Sequence, residues 1–126
     1  DRFVDNSLWS AKSHHIIKDF NIMYQVVLVT FPDKAAAIEV AKILISEKLA
    51  ACINILPEMQ AVYSWKDELR VDDEIQMVIK TLTTKFNELS DRITQLHSYD
   101  IAEIIALDIK AGNSPYLQWI SESLDS

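Results

Sequence analysis

The sequence is poor in glycine and cysteine, with one of each among its 126 residues. The single glycine, Gly112, excludes phosphate-binding P-loops and dinucleotide-binding loops, because both need several glycines at fixed spacing. The HExxH, CxxC and GxSxG patterns are also missing. The motif-bearing enzyme classes are therefore excluded, but not enzymes in general. Because nothing in the sequence names a substrate or a nucleophile, we expect a binding protein and no enzyme, with acid–base chemistry by a His/Glu/Tyr cluster as the alternative.

The remaining bulk properties exclude other classes of partner. One cysteine, Cys52, cannot form an internal disulfide, which fits a reducing compartment, so we expect a cytoplasmic protein. No segment reaches the roughly 20 apolar residues of a membrane span. The net charge of −7 repels phosphate backbones, so we expect no nucleic acid partner and no membrane partner.

Two segments differ in pattern. Residues 1–22 mix charged and apolar side chains without a period, and they lack the basic start and apolar run of a secretory signal. We interpret them as an extension or leader. Residues 23–126 have the regular pattern of one folded domain.

The regular segment alternates strand and helix patterns. Strands are predicted over 24–31, 50–56, 59–65, 74–82 and 101–109, and helices over 33–49, 83–97 and 115–124. Pro57 breaks one long strand in two, and Asp33 and Ser114 are candidate helix caps. The stretch over 66–73 is predicted to be a polar connection.

This order, β-α-β-β-α-β followed by a helix, is typical of an α+β, ferredoxin-like fold with an antiparallel sheet. Two helices would cover one face of the sheet. In the last strand Ile105 and Leu107 alternate with Ile104 and Ala106, so both faces are apolar. The face without helices is therefore predicted to be covered by another copy of the chain.

Three groups of residues are candidates for chemistry. Cys52 could be a metal ligand, a nucleophile or part of the core, and its apolar neighbours favour the core. His97, Tyr99, Asp100 and Glu103 lie where a helix meets a strand, and a histidine with carboxylates suits Zn²⁺ or copper. A helix-capping histidine beside solvated acids is the alternative.

The other candidates lie on the strands. Tyr63 and Trp65 share a strand face and could line a pocket or pack against another strand. Lys80 ends a strand, where it would extend into solvent or meet a carboxylate such as Glu103. The acids at 72–74 are interpreted as a solvated strand entry.

Five blocks in order, LAACINILP, VYSW, EIQMVIKT, LHSYDIAEIIAL and GNSPYLQWI, are similar to the CutA family of divalent-cation-tolerance proteins. The resemblance spans residues 24–124. It implies a homotrimer with an architecture similar to PII-type signalling proteins, and a role in tolerance of divalent metals, particularly copper. It also implies His97, Glu103 and Cys52 as metal ligands. Tyr63, Trp65, Lys80 and Tyr99 are expected in a cleft between subunits that holds the metal ion or a small organic or anionic effector.

The chain departs from the family pattern at several positions. His-Pro-Tyr-Glu is replaced by the residues at 97–100, and Ala102 stands where a proline precedes Glu103. Val29 stands where some members have a second cysteine, which removes a soft ligand for copper. The residues at 66–68 replace the glycine of a hairpin, so we expect that hairpin to be looser or longer.

Overall fold

The computed structural model describes residues 23–125, so the extension predicted over residues 1–22 lies outside the described part. The elements in chain order are β1 (Tyr24–Phe31), α1 (Lys34–Ser46), β2 (Cys52–Ile55), β3 (Met59–Trp65), β4 (Glu68–Leu82), α2 (Phe86–Leu96), β5 (Ile104–Asp108) and α3 (Ser114–Leu124). A short 3-10 turn over Thr83–Lys85 precedes α2. The predicted order of strands and helices is confirmed.

The five strands form one antiparallel sheet in the order β2-β4-β1-β5, with β3 also paired to β4. The first two strands, β1 and β2, are joined by α1 but separated in the sheet by β4, which is the split βαβ arrangement. The strands β2 and β3 lie on either side of Pro57 in the sequence, and both pair with the same long strand β4. The predicted strand with a break at Pro57 is therefore confirmed.

The main core lies between one face of the sheet and the helices α1 and α2. Asp33 is the N-cap of α1, as predicted, since its Oδ1 accepts a hydrogen bond of 2.8 Å from the Ala36 amide. The buried side chains of this core include Val27, Val29, Met77 and Ile79 from the sheet and Ala37, Val40, Leu44, Leu89 and Ile93 from the helices. Each large aliphatic side chain buried here contributes about 1.5–3 kcal/mol.

The opposite face of the sheet is covered at one end only. There α3 packs Ile120 and Leu124 against Tyr24, whose hydroxyl lies 2.7 Å from Ser121 Oγ. Farther along this face Ile105 and Leu107 remain 48% and 51% exposed. An aliphatic surface of this kind is where another chain is expected to pack, as the sequence predicted.

Three local predictions are wrong. The stretch over 66–73 is not a connection, because β4 begins at Glu68 and pairs residue by residue with β3. Strand β5 begins at Ile104 instead of Ile101, since its pairing with β1 ends at Val29. The cap of α3 is Asn113, whose Oδ1 accepts from the Tyr116 amide, and Ser114 is already helical.

The β3–β4 hairpin is tighter than the missing glycine led us to expect. Lys66 and Asp67 alone make the turn, with φ angles of 51° and 64°. A two-residue turn with both φ angles positive matches the twist of the strands, and it usually contains glycine because side chains disfavour that backbone region. The hairpin therefore forms with local strain.

Replacing Asp67 by Gly should stabilise the protein by about 0.5–1 kcal/mol, because glycine adopts this backbone angle without steric cost. Urea denaturation would measure the gain as a higher midpoint. Asp73→Gly is the matched control, since Asp73 lies within β4 and glycine there should lower the midpoint. An unchanged or lower midpoint for Asp67→Gly would contradict the strained-turn description.

Candidate functional site

A cleft of about 790 Å³ lies between the β3–β4 hairpin and the loop that joins α2 to β5. Its charged lining consists of five carboxylates and one guanidinium, from Asp72, Asp73, Glu74, Asp100, Glu103 and Arg70. Three aromatic side chains, Tyr63, Trp65 and Tyr99, also line the cleft. Because acids outnumber bases, the cleft attracts cations and repels anions.

His97 ends α2 and positions the neighbouring loop. Its Nδ1 accepts a hydrogen bond of 3.0 Å from the Tyr99 amide, so the ring proton is on Nε2, which donates to the Thr30 carbonyl at 2.6 Å. The ring also stacks on Phe31, with centroids 4.4 Å apart. Both nitrogens are engaged, so a metal ion could bind His97 only by displacing one of these hydrogen bonds.

Tyr99 lines the cleft and connects the loop to β4. Its hydroxyl donates to Glu74 Oε2 at 3.0 Å, and its ring lies 4.7 Å from that of His97. Burial, together with the hydrogen bond to Glu74, raises the pKa of Tyr99 to about 12. The hydroxyl therefore stays protonated at neutral pH and holds Glu74 in place.

A second phenol–carboxylate pair lies on the hairpin. The Tyr63 hydroxyl donates to Asp72 Oδ2, and this bond raises the pKa of Tyr63 above its usual value. The same carboxylate lies 3.6 Å from Arg70 Nη2. Asp72 is thus already paired, whereas Asp100 and Glu103 make no hydrogen bond or ion pair within the part of the chain that the structure describes.

The predicted site residues fall into two places, the cleft and the pairing of β2 with β4. Tyr63, Trp65, Tyr99 and Glu103 all line the cleft, and His97 supports it from behind without lining it.

Cys52 lies elsewhere, at the start of β2, where it pairs with Lys80 of β4. Thr30, whose carbonyl contacts His97, pairs with Gln76 of β4. The strand positions opposite Thr30 and Cys52 are therefore four residues apart, an offset of about 13 Å along β4. The thiol is buried, as the core interpretation predicted, but on the sheet face opposite α1 and α2. Lys80 donates to Asn54 Oδ1 rather than to Glu103.

Among residues 23–125, no three His, Cys, Asp or Glu side chains come close enough together to hold a metal ion. The carboxylates of the cleft are therefore spread along its walls. Structural and catalytic metal sites usually have three or four protein ligands, which the described part of one chain does not bring together here.

Sequence reasoning missed Asp72 and Glu74, which were interpreted as a solvated strand entry. Both face the cleft and bind its tyrosines. The available signal was the period of two through Arg70, Asp72 and Glu74, which places the three side chains on one face of a strand.

The pKa of Tyr99 gives a pH prediction. Folding favours the neutral hydroxyl, so its contribution to stability is complete below pH 10 and is lost as the pH rises from 10 toward 12. The difference in urea midpoint between wild type and Tyr99→Phe should therefore shrink over this range.

The contact between Tyr99 and Glu74 can be tested separately. Glu74→Gln should lower the pKa of Tyr99, as measured by tyrosinate absorbance, and an unchanged pKa would contradict the contact.

The family model of the CutA1 divalent ion tolerance protein matches residues 25–123. The chain belongs to the CutA1 family. The match includes every strand and helix of the described part, apart from the first residue of β1, Tyr24, and the last residue of α3, Leu124. The resemblance inferred from the five sequence blocks is confirmed.

Curated relatives extend this assignment. The chain is 43% identical over 101 residues to the divalent-cation tolerance protein CutA of Thermus thermophilus, covering 80% of this chain and 98% of that protein. It is 44% identical over 98 residues to the chloroplastic CutA 1 of Oryza sativa, covering 78% of this chain and 55% of that protein. The chain therefore spans nearly all of the bacterial relative and about half of the plant one.

The fold agrees with solved CutA structures. The periplasmic divalent cation tolerance protein CutA of Archaeoglobus fulgidus superposes with a TM-score of 0.80 at 33% identity, covering 82% of this chain and all of that one. The α+β fold with an antiparallel sheet and three helices is thus that of the CutA family. The Archaeoglobus protein is named periplasmic and the Oryza relative chloroplastic, so the cytoplasmic location stays a prediction. No helix within residues 23–125 is long and apolar enough to cross a membrane.

Proposed function

We propose that this CutA protein is a homotrimer that contributes to divalent-metal tolerance, copper in particular, by binding a cation in a cleft between subunits. The observation that carries the proposal is the charge of the cleft, where five carboxylates face one guanidinium. Such a surface raises the local concentration of cations by long-range attraction. Asp100 and Glu103 offer carboxylates that are not engaged within the described part of the chain.

In this proposal the ion takes further donors from a second chain. Among residues 23–125 of one chain no three His, Cys, Asp or Glu side chains lie together, and donors from a neighbouring subunit would raise the number of ligands toward the three or four that are usual. The half-exposed Ile105 and Leu107 supply an aliphatic face through which subunits can pack. Metal binding and assembly are therefore coupled in this proposal.

The cleft chemistry favours Cu²⁺ or Zn²⁺ over Cu⁺. Its donors are carboxylate oxygens, which suit divalent ions, whereas Cu⁺ prefers thiolate and thioether ligands. Cys52 pairs with β4 four residues away from the position of Thr30, the contact of His97, and on the other side of that strand. We propose that Glu103 is the main protein ligand, that His97 acts by positioning Tyr99, and that Cys52 is structural.

A second candidate is a PII-like module for a small organic effector. The three aromatic side chains of the cleft favour it, because flat apolar walls bind organic ligands. The excess of carboxylates in the cleft disfavours an anionic effector, because it would be repelled. In both cases the protein acts by binding and without catalysis, and we place it in the cytoplasm, where a reducing environment keeps Cys52 as a thiol.

Calorimetric titration with Cu²⁺ and Zn²⁺ tests the metal proposal. Glu103→Gln should weaken binding by about tenfold or more, because it removes a negatively charged ligand without changing the size of the side chain. Asp91→Asn on α2, outside the cleft, is the matched control and should bind as wild type does. Equal affinity of wild type and Glu103→Gln would exclude Glu103 as a ligand.

A further inference from the structure

The size and walls of the cleft suit a molecule larger than a bare ion. A metal ion needs its ligands at about 2.0–2.3 Å, and residues 23–125 hold no such cluster. The volume of about 790 Å³ lies within the range of roughly 300–1,000 Å³ that is common for small-molecule sites. Its wall contains three aromatic rings and five carboxylates, and this combination binds alkylammonium groups by ring contact and by charge.

The chain's own cations already use these two kinds of contact. Lys66 Nζ lies over the Trp65 ring, 5.9 Å from its centroid. Arg70 Nη2 lies 3.6 Å from Asp72 Oδ2. The hairpin thus binds one ammonium through a ring and one guanidinium through a carboxylate. Trp65 and Arg70 line the cleft, where Asp100 and Glu103 have no partner among the described residues.

We propose that the cleft binds an organic diammonium ion, with one ammonium on the Trp65 ring in place of Lys66 and the other between Asp100 and Glu103. This inference rests on the proposed function, in which the cleft is a cation site, and it adds a second class of ligand that competes with the metal ion. The methylene chain of the ligand contacts the aromatic wall, and the two charges are neutralised at its ends. An anion of the same length would be repelled.

Calorimetric titration with three four-carbon probes tests the proposal: putrescine with two ammonium groups, 1,4-butanediol with none, and succinate with two carboxylates. Putrescine alone should bind to the wild-type protein. Trp65→Leu should weaken putrescine binding by about fivefold, because it removes the aromatic ring but leaves an apolar side chain. The double substitution Asp100→Asn with Glu103→Gln should weaken it further, whereas Asp91→Asn should have no effect.

Each outcome is decisive. Absence of putrescine binding, equal binding of 1,4-butanediol, or unchanged binding by Trp65→Leu would overturn the proposal, and loss of binding in Asp91→Asn would show only general charge attraction and overturn it too. Titrations with Zn²⁺ and Cu²⁺ separate this inference from the proposed function. Metal binding without putrescine binding defeats the inference alone; binding of neither defeats both; and displacement of putrescine by Zn²⁺ supports both.

Discussion

Replacing Leu107 by Glu is expected to convert the assembled protein into monomers. Leu107 and Ile105 lie on β5, half exposed, on the face of the sheet that α3 leaves open. Burying the exposed half of such side chains contributes about 1 kcal/mol each, whereas burying an unpaired carboxylate costs several kcal/mol. In a symmetric trimer that cost is repeated in every subunit.

Sedimentation velocity measures this change directly. Ile45→Glu is the matched control, because Ile45 is 40% exposed on α1, on the helical side of the sheet, and should leave the assembly intact. Circular dichroism of Leu107→Glu should match wild type, since Leu107 is not part of the main core. If Leu107→Glu sediments as wild type does, the open face is not the subunit interface.

The second large effect is expected for Phe31→Ala. Phe31 ends β1 with 1% of its surface exposed, packs into the main core and stacks on the His97 ring. Truncating a buried phenylalanine costs about 3–5 kcal/mol through lost transfer energy and the remaining cavity. His97 would also lose the ring that orients it, and Tyr99 depends on His97 for its amide hydrogen bond.

Urea denaturation measures the loss, with Phe31→Leu as the control. Leucine keeps most of the buried apolar volume and removes the stacked ring, so it should cost about 1–2 kcal/mol. A cost below about 1 kcal/mol for Phe31→Ala would contradict the role of Phe31 as the link between core and cleft.

The predictions that succeeded depend on local patterns. The helical face of Ala37, Val40, Ala41 and Leu44 could be predicted because its 3.6-residue period lies within one element, and the cap by Asp33 needs only three neighbouring residues. The break at Pro57 follows from a missing amide proton.

The predictions that failed depend on contacts between distant segments. The first half of β4 has only two apolar side chains, Leu69 and Val71, and both are exposed, so its strand structure depends on pairing with β3 and not on a buried apolar face. Strand β5 begins three residues later than predicted, because its pairing with β1 starts only at Ile104, opposite Val29.

The site shows the same division. The block from His97 to Glu103 could be selected from its residue types, but the cleft contact of Tyr99 with Glu74 depends on the sheet register. The separation of Cys52 and Lys80 from the cleft is also a matter of register, since β2 pairs with the far half of β4.

The central claim is that a cation binds in a cleft completed by a second subunit. Copper and zinc titrations of wild type and of monomeric, folded Leu107→Glu test it most directly. We predict binding by the assembled wild type and loss of at least about tenfold in affinity by the monomer, because residues 23–125 of one chain do not bring three metal ligands together. Equal affinity of the monomer would contradict the claim.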